Sequence, residues 1–448
     1  MAPAKHQQTT VIEVYPAPAQ EEYELPEYAG SAPHSLGRVD GGWDAWKVLV
    51  AGFFFEAIFW GYPMCFGVFQ KYYSEIPQFV ADTAKIPLIG TVAQSLYYLG
   101  APLAALATMK FPKYRSHQIW IGWLMCIFGL VSASFTTSVN GLIGTQGFLY
   151  GLGFVILSYP IISMINEWWV SRKGMAFGLI SASSGLTGAV MPFIVEALLA
   201  KYGQHTTLRA SAVAMAVLTF PLLFLFKSRL PPSHHTTLGR TNWAFISRPL
   251  FWVYSASILF QGIGFFFPSV FLPTYAASLN ISSTKGALLL STMSIAQVLG
   301  QFAFGYLSDQ QLSVSLLAIV CCIAAAASSL TLWGLGKSLA MLILFSLLYG
   351  FFGFGFGTMR VAMGRAVSDD HSTVFATYAI YVFMQGIGNI LVGPLSEALN
   401  TSPTAVERFG IGRFEGMVIL TGVSSVCAAF VIGSWHAGET GLRLVKGS

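Results

Sequence analysis

Apolar residues run along this chain in long blocks, and the polar residues between them are mostly confined to short breaks. Twelve windows stand out, at about 47–70, 87–109, 117–137, 141–165, 174–199, 207–227, 249–273, 286–307, 313–335, 339–364, 372–398 and 414–436. Each is near the ~20 residues that a helix needs to cross a bilayer. The pattern predicts an all-α integral membrane protein. The largest polar break, 228–248, contains Pro231-Pro232 and His234-His235 and parts the windows six and six. The expected organisation is a disordered cytosolic tail over 1–39, a six-helix bundle over 40–227, a central cytosolic loop over 228–248, a second bundle over 249–436 and a short cytosolic tail over 437–448. The first of these tails is polar, rich in Pro, Glu and Tyr, and has no apolar core segment, so no signal peptide is expected there.

Composition agrees with the windows. The 448 residues are 54% hydrophobic and only 10% charged, with a mean hydropathy of +0.63. Soluble domains carry about a quarter charged residues, so this chain has far more apolar surface than one or two soluble cores could hide. The placement of charge then sets an orientation. With both termini inside, sixteen of the 24 Lys and Arg fall on cytoplasmic segments, which supports N-in, C-in. The two glycosylation sequons, at Asn280 and Asn400, both fall on the expected outer loops. Cys65, Cys126, Cys321, Cys322 and Cys427 lie inside apolar windows and read as small buried hydrophobes, with no disulfide framework and no metal-binding spacing.

The two runs of windows echo each other. Leu149-Tyr150-Gly151 in the fourth window returns as Leu348-Tyr349-Gly350 in the tenth. Pro192 and Glu196 in the fifth return as Pro394 and Glu397 in the eleventh, and Pro63 in the first is matched by Pro268 in the seventh. Similar offsets point to duplication of a six-helix unit, with a site between the repeats.

Three motifs carry a resemblance. The eighth window ends in Gly305-Tyr306-Leu307-Ser308-Asp309, ahead of the first window stands Asp40-Gly41-Gly42-Trp43-Asp44-Ala45-Trp46, and Trp168-Trp169-Val170-Ser171-Arg172-Lys173-Gly174-Met175-Ala176-Phe177-Gly178 enters the fifth. The first resembles a signature of the major facilitator superfamily. The other two resemble motifs of the monocarboxylate transporter family, especially its fungal members. This resemblance implies twelve helices in two bundles and secondary transport. It also implies a substrate-linked lysine where Met64 stands, and an Asp and an Arg where Gln297 and Gln301 stand. The family's charge trio is therefore neutral here.

Glu56 lies about ten residues into the first window, inside Phe53-Phe54-Phe55-Glu56-Ala57-Ile58-Phe59-Trp60-Gly61-Tyr62-Pro63. An ionised carboxylate there costs about 3 kcal/mol or more unless it is paired, hydrated or protonated. Helical spacing puts Gly52, Glu56, Trp60 and Pro63 on one inward face and turns Phe54, Phe55 and Ile58 toward lipid. Glu56 is the candidate for proton coupling, with a structural hydrogen bond to a neighbouring helix as the alternative. The other cavity candidates are Gln94, Tyr97, Tyr159, Gln261, Gln297, Gln301, Arg360 and the i, i+4, i+8 stripe Tyr381, Gln385, Asn389. For Gln297 and Gln301 a ligand role and plain helix–helix hydrogen bonding stand level. Arg360 and Arg365 are expected to snorkel or to pair with Asp369 or Asp370, with a clamp on an anionic substrate as the alternative. Asp309 is assigned to the inner gate, its charge favouring a neighbouring helix N-terminus, with Arg172 and Lys173 beside it.

The sequence holds no catalytic constellation, and the Walker-like Gly334-Leu335-Gly336-Lys337-Ser338 lacks the motif's first glycine. The expectation is a monomeric, non-enzymatic, alternating-access transporter of a small organic solute in the lipid bilayer, with neither metal, cofactor nor nucleic acid. Efflux of a neutral or weakly charged secondary metabolite is preferred, with protons as the coupling ion. The alternatives are uptake of a monocarboxylate and a non-transporting nutrient sensor. The plasma membrane is the expected location, the vacuolar membrane its alternative.

Overall fold

A computed structural model describes residues 37–230, 243–310, 312–368, 370–399, 409–410 and 414–446. These residues form helices joined by short turns. Among the described residues, ten helices are long and apolar enough to cross a membrane. We label the apolar helices α1 (Trp43–Glu75), α2 (Ile86–Leu99, which is shorter and is followed by Ala101–Lys110), α3 (Pro112–Ala133), α4 (Val139–Trp168), α5 (Lys173–Leu223), α6 (Pro249–Ser278), α7 (Thr284–Leu307), α8 (Val314–Trp333), α9 (Leu339–Val367), α10 (Ser372–Ser396) and α11 (Glu415–Gly438). α5 covers two expected windows, and its 51 residues are interrupted at Gly203, whose φ of 73° is not helical. The last helix runs on to Lys446, so the expected C-terminal tail is largely helical. Gly37, which falls within the expected tail, accepts a hydrogen bond from Arg229 Nε at 2.9 Å.

The buried apolar side chains form one cluster drawn from residues 45–226, with Val361 and part of α10 seated against it, and two clusters drawn from residues 245–432. Large apolar side chains also cover the outside: Leu103, Phe128, Val217 and Phe430 are 64–72% exposed. A soluble protein would bury such a belt, whereas lipid tails solvate it. Phe54 belongs to this outer surface at 46% exposed, but Phe55 is fully buried, stacked on Phe59 at 5.4 Å and edge-on to Phe226 at 5.0 Å. The helical-wheel expectation for Phe55 fails because the chain at Phe226 covers that side of α1.

The duplicated Leu-Tyr-Gly motif has a physical explanation. A proline leaves the carbonyl four residues earlier without its helical donor. Pro63 does this to Phe59, and Tyr150 Oη of α4 donates to Phe59 O at 2.6 Å. Pro268 does the same to Gly264, and Tyr349 Oη of α9 lies 3.4 Å from Gly264 O and 3.2 Å from Phe265 O. In each case the tyrosine lies at the end or start of a wide π-turn, Ile143–Leu149 or Tyr349–Gly353. Each repeat therefore uses one phenol to satisfy the carbonyl that its own proline orphans. Gln94, expected in a cavity, also serves this region by donating to Pro63 O at 3.3 Å.

A buried carbonyl left without a partner costs about 1–3 kcal/mol. Tyr150→Phe should therefore destabilise the purified protein by an amount in that range, read as a lower melting temperature. Tyr349→Phe should cost less, because its bonds are longer. Equal stability of all three proteins would show that the phenols do not support the kinks.

Candidate functional site

The N-terminus of α5 is held from two sides. Asp40 and Gly42 take left-handed backbone angles, φ 56° and 88°, a turn that Asp tolerates and Gly favours. The turn aims the Asp40 carboxylate at the segment before α5, where it accepts from the backbone N–H groups of Val170 (2.8 Å), Ser171 (3.0 Å) and Arg172 (2.9 Å). Trp46 packs edge-on against Trp169 at 5.1 Å, so two of the three sequence motifs are halves of one contact. Burial alone would push the Asp40 carboxyl up, but the bonds from Ser171, Arg172 and Val170 outweigh it and hold the group below its ordinary value of 3.8.

From the other side comes Asp309, which accepts from Gly174 N at 2.8 Å and Met175 N at 2.7 Å. Arg365 Nη2 donates to Asp309 Oδ1 at 2.6 Å. The backbones cross at contact here: a side chain on Gly174 would meet Gly305 O at 2.4 Å, and one on Gly305 would meet Gly174 O at 2.5 Å. The Gly305–Asp309 motif thus closes on the Trp168–Gly178 motif. Asp309 meets the N-terminus of α5, the kind of partner expected of its charge. Lys173 is buried beside this contact, whereas Arg172 contributes its backbone N–H and leaves its side chain exposed. Arg365 belongs to this junction, which overturns its expected pairing with Asp369 or Asp370. Asp370 instead caps α10 by accepting from Thr373 N at 2.8 Å, and Asp369 lies outside the described residues.

Farther along the same helices lies a cavity of about 70 Å³. α1 contributes Glu56, Trp60 and Met64, α2 contributes Tyr97 and Tyr98, α4 contributes Ile162, and α5 contributes Ile180, Ser181 and Ser184. From the later helices come Phe265 and Phe266 of α6, Gln297 and Gln301 of α7, Phe354, Gly357 and Arg360 of α9, and Tyr378, Val382 and Gln385 of α10. At ~10–15 Å³ per water it holds a few water molecules, well short of the ~300 Å³ at which drug-sized sites begin. Met64, Gln297 and Gln301, the three positions where the family resemblance puts charges, all line it.

Glu56 is 2% exposed, and its Oε1 has no hydrogen-bond partner. Gln297 Nε2 donates to Ser184 Oγ at 3.1 Å and lies 3.5 Å from Gln301 Oε1, a bridge between α7 and α5. Arg360 donates through Nε to Gly357 O at 2.6 Å and through Nη1 to Gln385 Oε1. The snorkelling expected of Arg360 is therefore replaced by a place in the cavity wall. Among the described residues lining the cavity, Glu56 and Arg360 are the two that carry formal charge.

Other candidates stay outside the cavity. Tyr159 is fully buried, with its ring 6.4 Å from that of Tyr97. Gln261 donates to Gly353 O at 3.2 Å and ties α6 to α9. The Tyr381–Gln385–Asn389 stripe divides: Tyr381 stacks on Phe251 at 5.6 Å, Asn389 keeps both polar side-chain atoms buried without a partner, and Gln385 alone of the three reaches the cavity. An ideal wheel puts all three on one face, but α10 meets different neighbours along its length. Asn280 is exposed in the turn before α7, and Asn400 lies outside the described residues. Sequence reasoning did not place Ser184, Tyr98 or Tyr378 in the cavity: Ser184 lies in the continuation of the motif that enters α5, and the two tyrosines carry no pattern signal. It also missed the ion pair of Arg115 with Glu167, whose side chains are 6% and 7% exposed. Glu167 also accepts from the backbone N–H groups of Arg229 at 3.2 Å and Leu230 at 3.4 Å.

Two outcomes follow from the α5 junction. Asp309→Asn removes a charge-assisted acceptor worth about 1.5–3 kcal/mol, so deuterium exchange at Gly174 and Met175 should speed up about 10- to 100-fold. Because the Asp40 carboxyl is held low, its contribution is complete above the ordinary value of 3.8 and is lost as the pH falls through the lowered one. Asp40→Asn should therefore lower stability at neutral pH, with the gap to the unaltered protein closing in acid. A gap that persists under acid conditions would mean that the carboxylate charge is not its source.

The profile of the Major Facilitator Superfamily matches residues 48–393 and, in a second alignment, 254–441. The MFS transporter asaE of Aspergillus flavus is 24% identical over 408 residues, 91% of this chain and 90% of that protein. The aspyridones efflux protein apdF of Emericella nidulans is 26% identical over 373 residues, 82% of this chain and 74% of its own length. Among solved structures, the proton:xylose symporter XylE superposes with a TM-score of 0.65 at 12% identity, covering 87% of this chain and 95% of that one. The human organic anion transporter MFSD10 gives 0.62 at 12% identity, covering 87% and 99%. At these identities the two structures speak for the fold alone.

Proposed function

The chain belongs to the Major Facilitator Superfamily, whose members are transporters and not enzymes, and we propose that it exports a small, neutral or weakly charged secondary metabolite. The observation that carries this reading is the cavity, to which α1, α2, α4 and α5 contribute one wall and α6, α7, α9 and α10 another. Alternating access between two six-helix bundles, residues 40–227 and 249–436, moves solute through it. Twelve spans fit this arrangement: the interruption at Gly203 divides α5 in two, and Ile86–Leu99 with Ala101–Lys110 supplies a further crossing. Lysine and arginine placement favours both termini in the cytosol of a plasma-membrane monomer. With that orientation, the Asp309–α5 junction shuts the cytosolic side, and the small cavity is a contracted state that must widen to load.

Efflux is favoured by the relatives, of which apdF is named as an efflux protein for aspyridones. The mutual contact of the Asp40 and Trp168–Gly178 motifs supports placement beside the monocarboxylate transporters. Glu56 carries the coupling proton in this reading, since a buried carboxyl on the wall of a membrane cavity must be neutralised or hydrated as access alternates. Uptake of an organic acid is the second reading, favoured by Arg360 in the same wall.

Metabolite profiles of a strain lacking the gene separate the two directions. Export predicts that one metabolite accumulates in the cells and falls in the medium, whereas uptake predicts that labelled short acids stop entering and leaves the exported profile unchanged. In proteoliposomes loaded with that metabolite, Glu56→Gln should abolish the response to an imposed pH gradient and keep counterflow exchange. A retained response would remove Glu56 from the coupling.

A further inference from the structure

We propose that Arg360 makes the cavity selective for a solute that bears one acidic group on a flat, conjugated body. An arginine within a membrane-spanning helix is expensive unless its guanidinium reaches water or an anion. Arg360 does not reach outward. Its guanidinium folds back along α9, with Nε on Gly357 O, while Nη1 is held by Gln385 Oε1 across on α10. Gly357 leaves room for the fold-back: a Cβ there would lie 3.1 Å from Arg360 Nη2 and ask the guanidinium to shift by a few tenths of an ångström. Gln385 is neutral and 2% exposed, so it fixes the direction of the guanidinium without cancelling its charge. Among the described residues no carboxylate forms an ion pair with Arg360, and Asp309, which could have competed for such a role, is taken by Arg365.

A planar guanidinium held by two bonds, with Nη2 unused by either of them, is built for a carboxylate or an acidic enol, which it binds through parallel charge-assisted hydrogen bonds. The rest of the wall indicates the body. Trp60, Tyr98, Phe266, Phe354 and Tyr378 are aromatic, and such surfaces favour flat conjugated groups over flexible aliphatic ones. Gln297 and Gln301 add neutral hydrogen-bonding positions for carbonyl or hydroxyl groups. Arg360 is the one cationic residue among those lining the cavity, so the wall offers a place for a single acidic group. The inference deepens the transport reading by naming the chemical class of the solute, and it holds for either direction of movement.

The test uses binding, which does not depend on transport. The full chain in lipid nanodiscs, with empty nanodiscs as the blank, is titrated with 2-naphthoate and with 2-naphthamide, a neutral probe of nearly the same shape. The unaltered protein should prefer the acid at least about 10-fold, the value of one charge-assisted bond. Arg360→Gln should bring the ratio to within about twofold of one, with the larger loss of affinity falling on the acid. Gln385→Glu, which gives the guanidinium its own carboxylate, should depress the ratio in the same way without loss of thermal stability. Arg360→Lys keeps the charge and loses the planar fork, so its ratio should fall between the two, and this pair of variants serves if Arg360→Gln does not fold. Equal binding of both probes, binding of neither, or a preference that survives the loss of Arg360 overturns the inference. If the acid binds through Arg360 and yet never crosses the membrane in proteoliposomes, the transport reading fails and the site remains.

Discussion

A helix that begins inside a packed protein presents N–H groups with no partner in their own helix, and in a membrane protein water cannot be relied on to satisfy them. α5 begins at the edge of such a place, with Lys173 and Gly174 buried and Ser171 and Arg172 exposed. The solution is a pair of carboxylates, Asp40 from the chain ahead of α1 and Asp309 from the end of α7, which between them take the N–H groups of Val170, Ser171, Arg172, Gly174 and Met175. Most of what is distinctive around this helix end follows from that requirement. Gly174 and Gly305 bring the two backbones into contact, Gly42 aims Asp40, and Arg365 balances the charge of Asp309. The two carboxylates differ in one respect that matters for movement. Asp40 joins α5 to the chain just ahead of α1, while Asp309 and Arg365 join it to helices from beyond the central break, so only the second contact must open if the two parts separate.

The same economy of charge governs the cavity. Two formally charged groups line it, one carboxyl and one guanidinium, and each is treated differently by its surroundings. Arg360 is braced by Gly357 and Gln385, whereas Glu56 keeps one oxygen without a partner. A braced cation presents fixed geometry, whereas the carboxyl keeps an oxygen with no hydrogen bond to fix it. The positions where the motif resemblance puts charges, Met64, Gln297 and Gln301, are neutral here, and the guanidinium stands on α9. This chain therefore keeps a charged cavity but distributes the charge over different helices.

Much of the fold was legible in the sequence because lipid imposes a simple rule: spans must be long, apolar and helical. The windows, the central break and the repeated Leu-Tyr-Gly element all came from that rule or from duplication. The repeat carried more information than its pattern revealed. Tyr150 and Tyr349 recur because Pro63 and Pro268 recur, and each hydroxyl finds the carbonyl its proline orphans. Periodicity was less dependable for side-chain direction. It turned Phe55 to lipid although Phe226 covers it, and it grouped Tyr381, Gln385 and Asn389 although only Gln385 meets the cavity. A helical wheel reports the face a residue shares, and neighbours arriving from elsewhere in the chain determine what that face meets.

By itself, then, the sequence determined that this chain is helical and membrane-embedded, that its Asp309 suits a helix N-terminus, and that Glu56 is a misplaced charge in an apolar run. Those conclusions depend on properties local to a segment: hydropathy, helical spacing and the desolvation cost of a charge. Only the tertiary structure decided that Asp40 and Asp309 grip the same helix, that Arg115 is paired with Glu167, and that Arg360 turns inward to share a cavity with Glu56. Each of these joins residues tens to hundreds of positions apart. The energy of such a contact depends on distance and burial, which one-dimensional order does not encode.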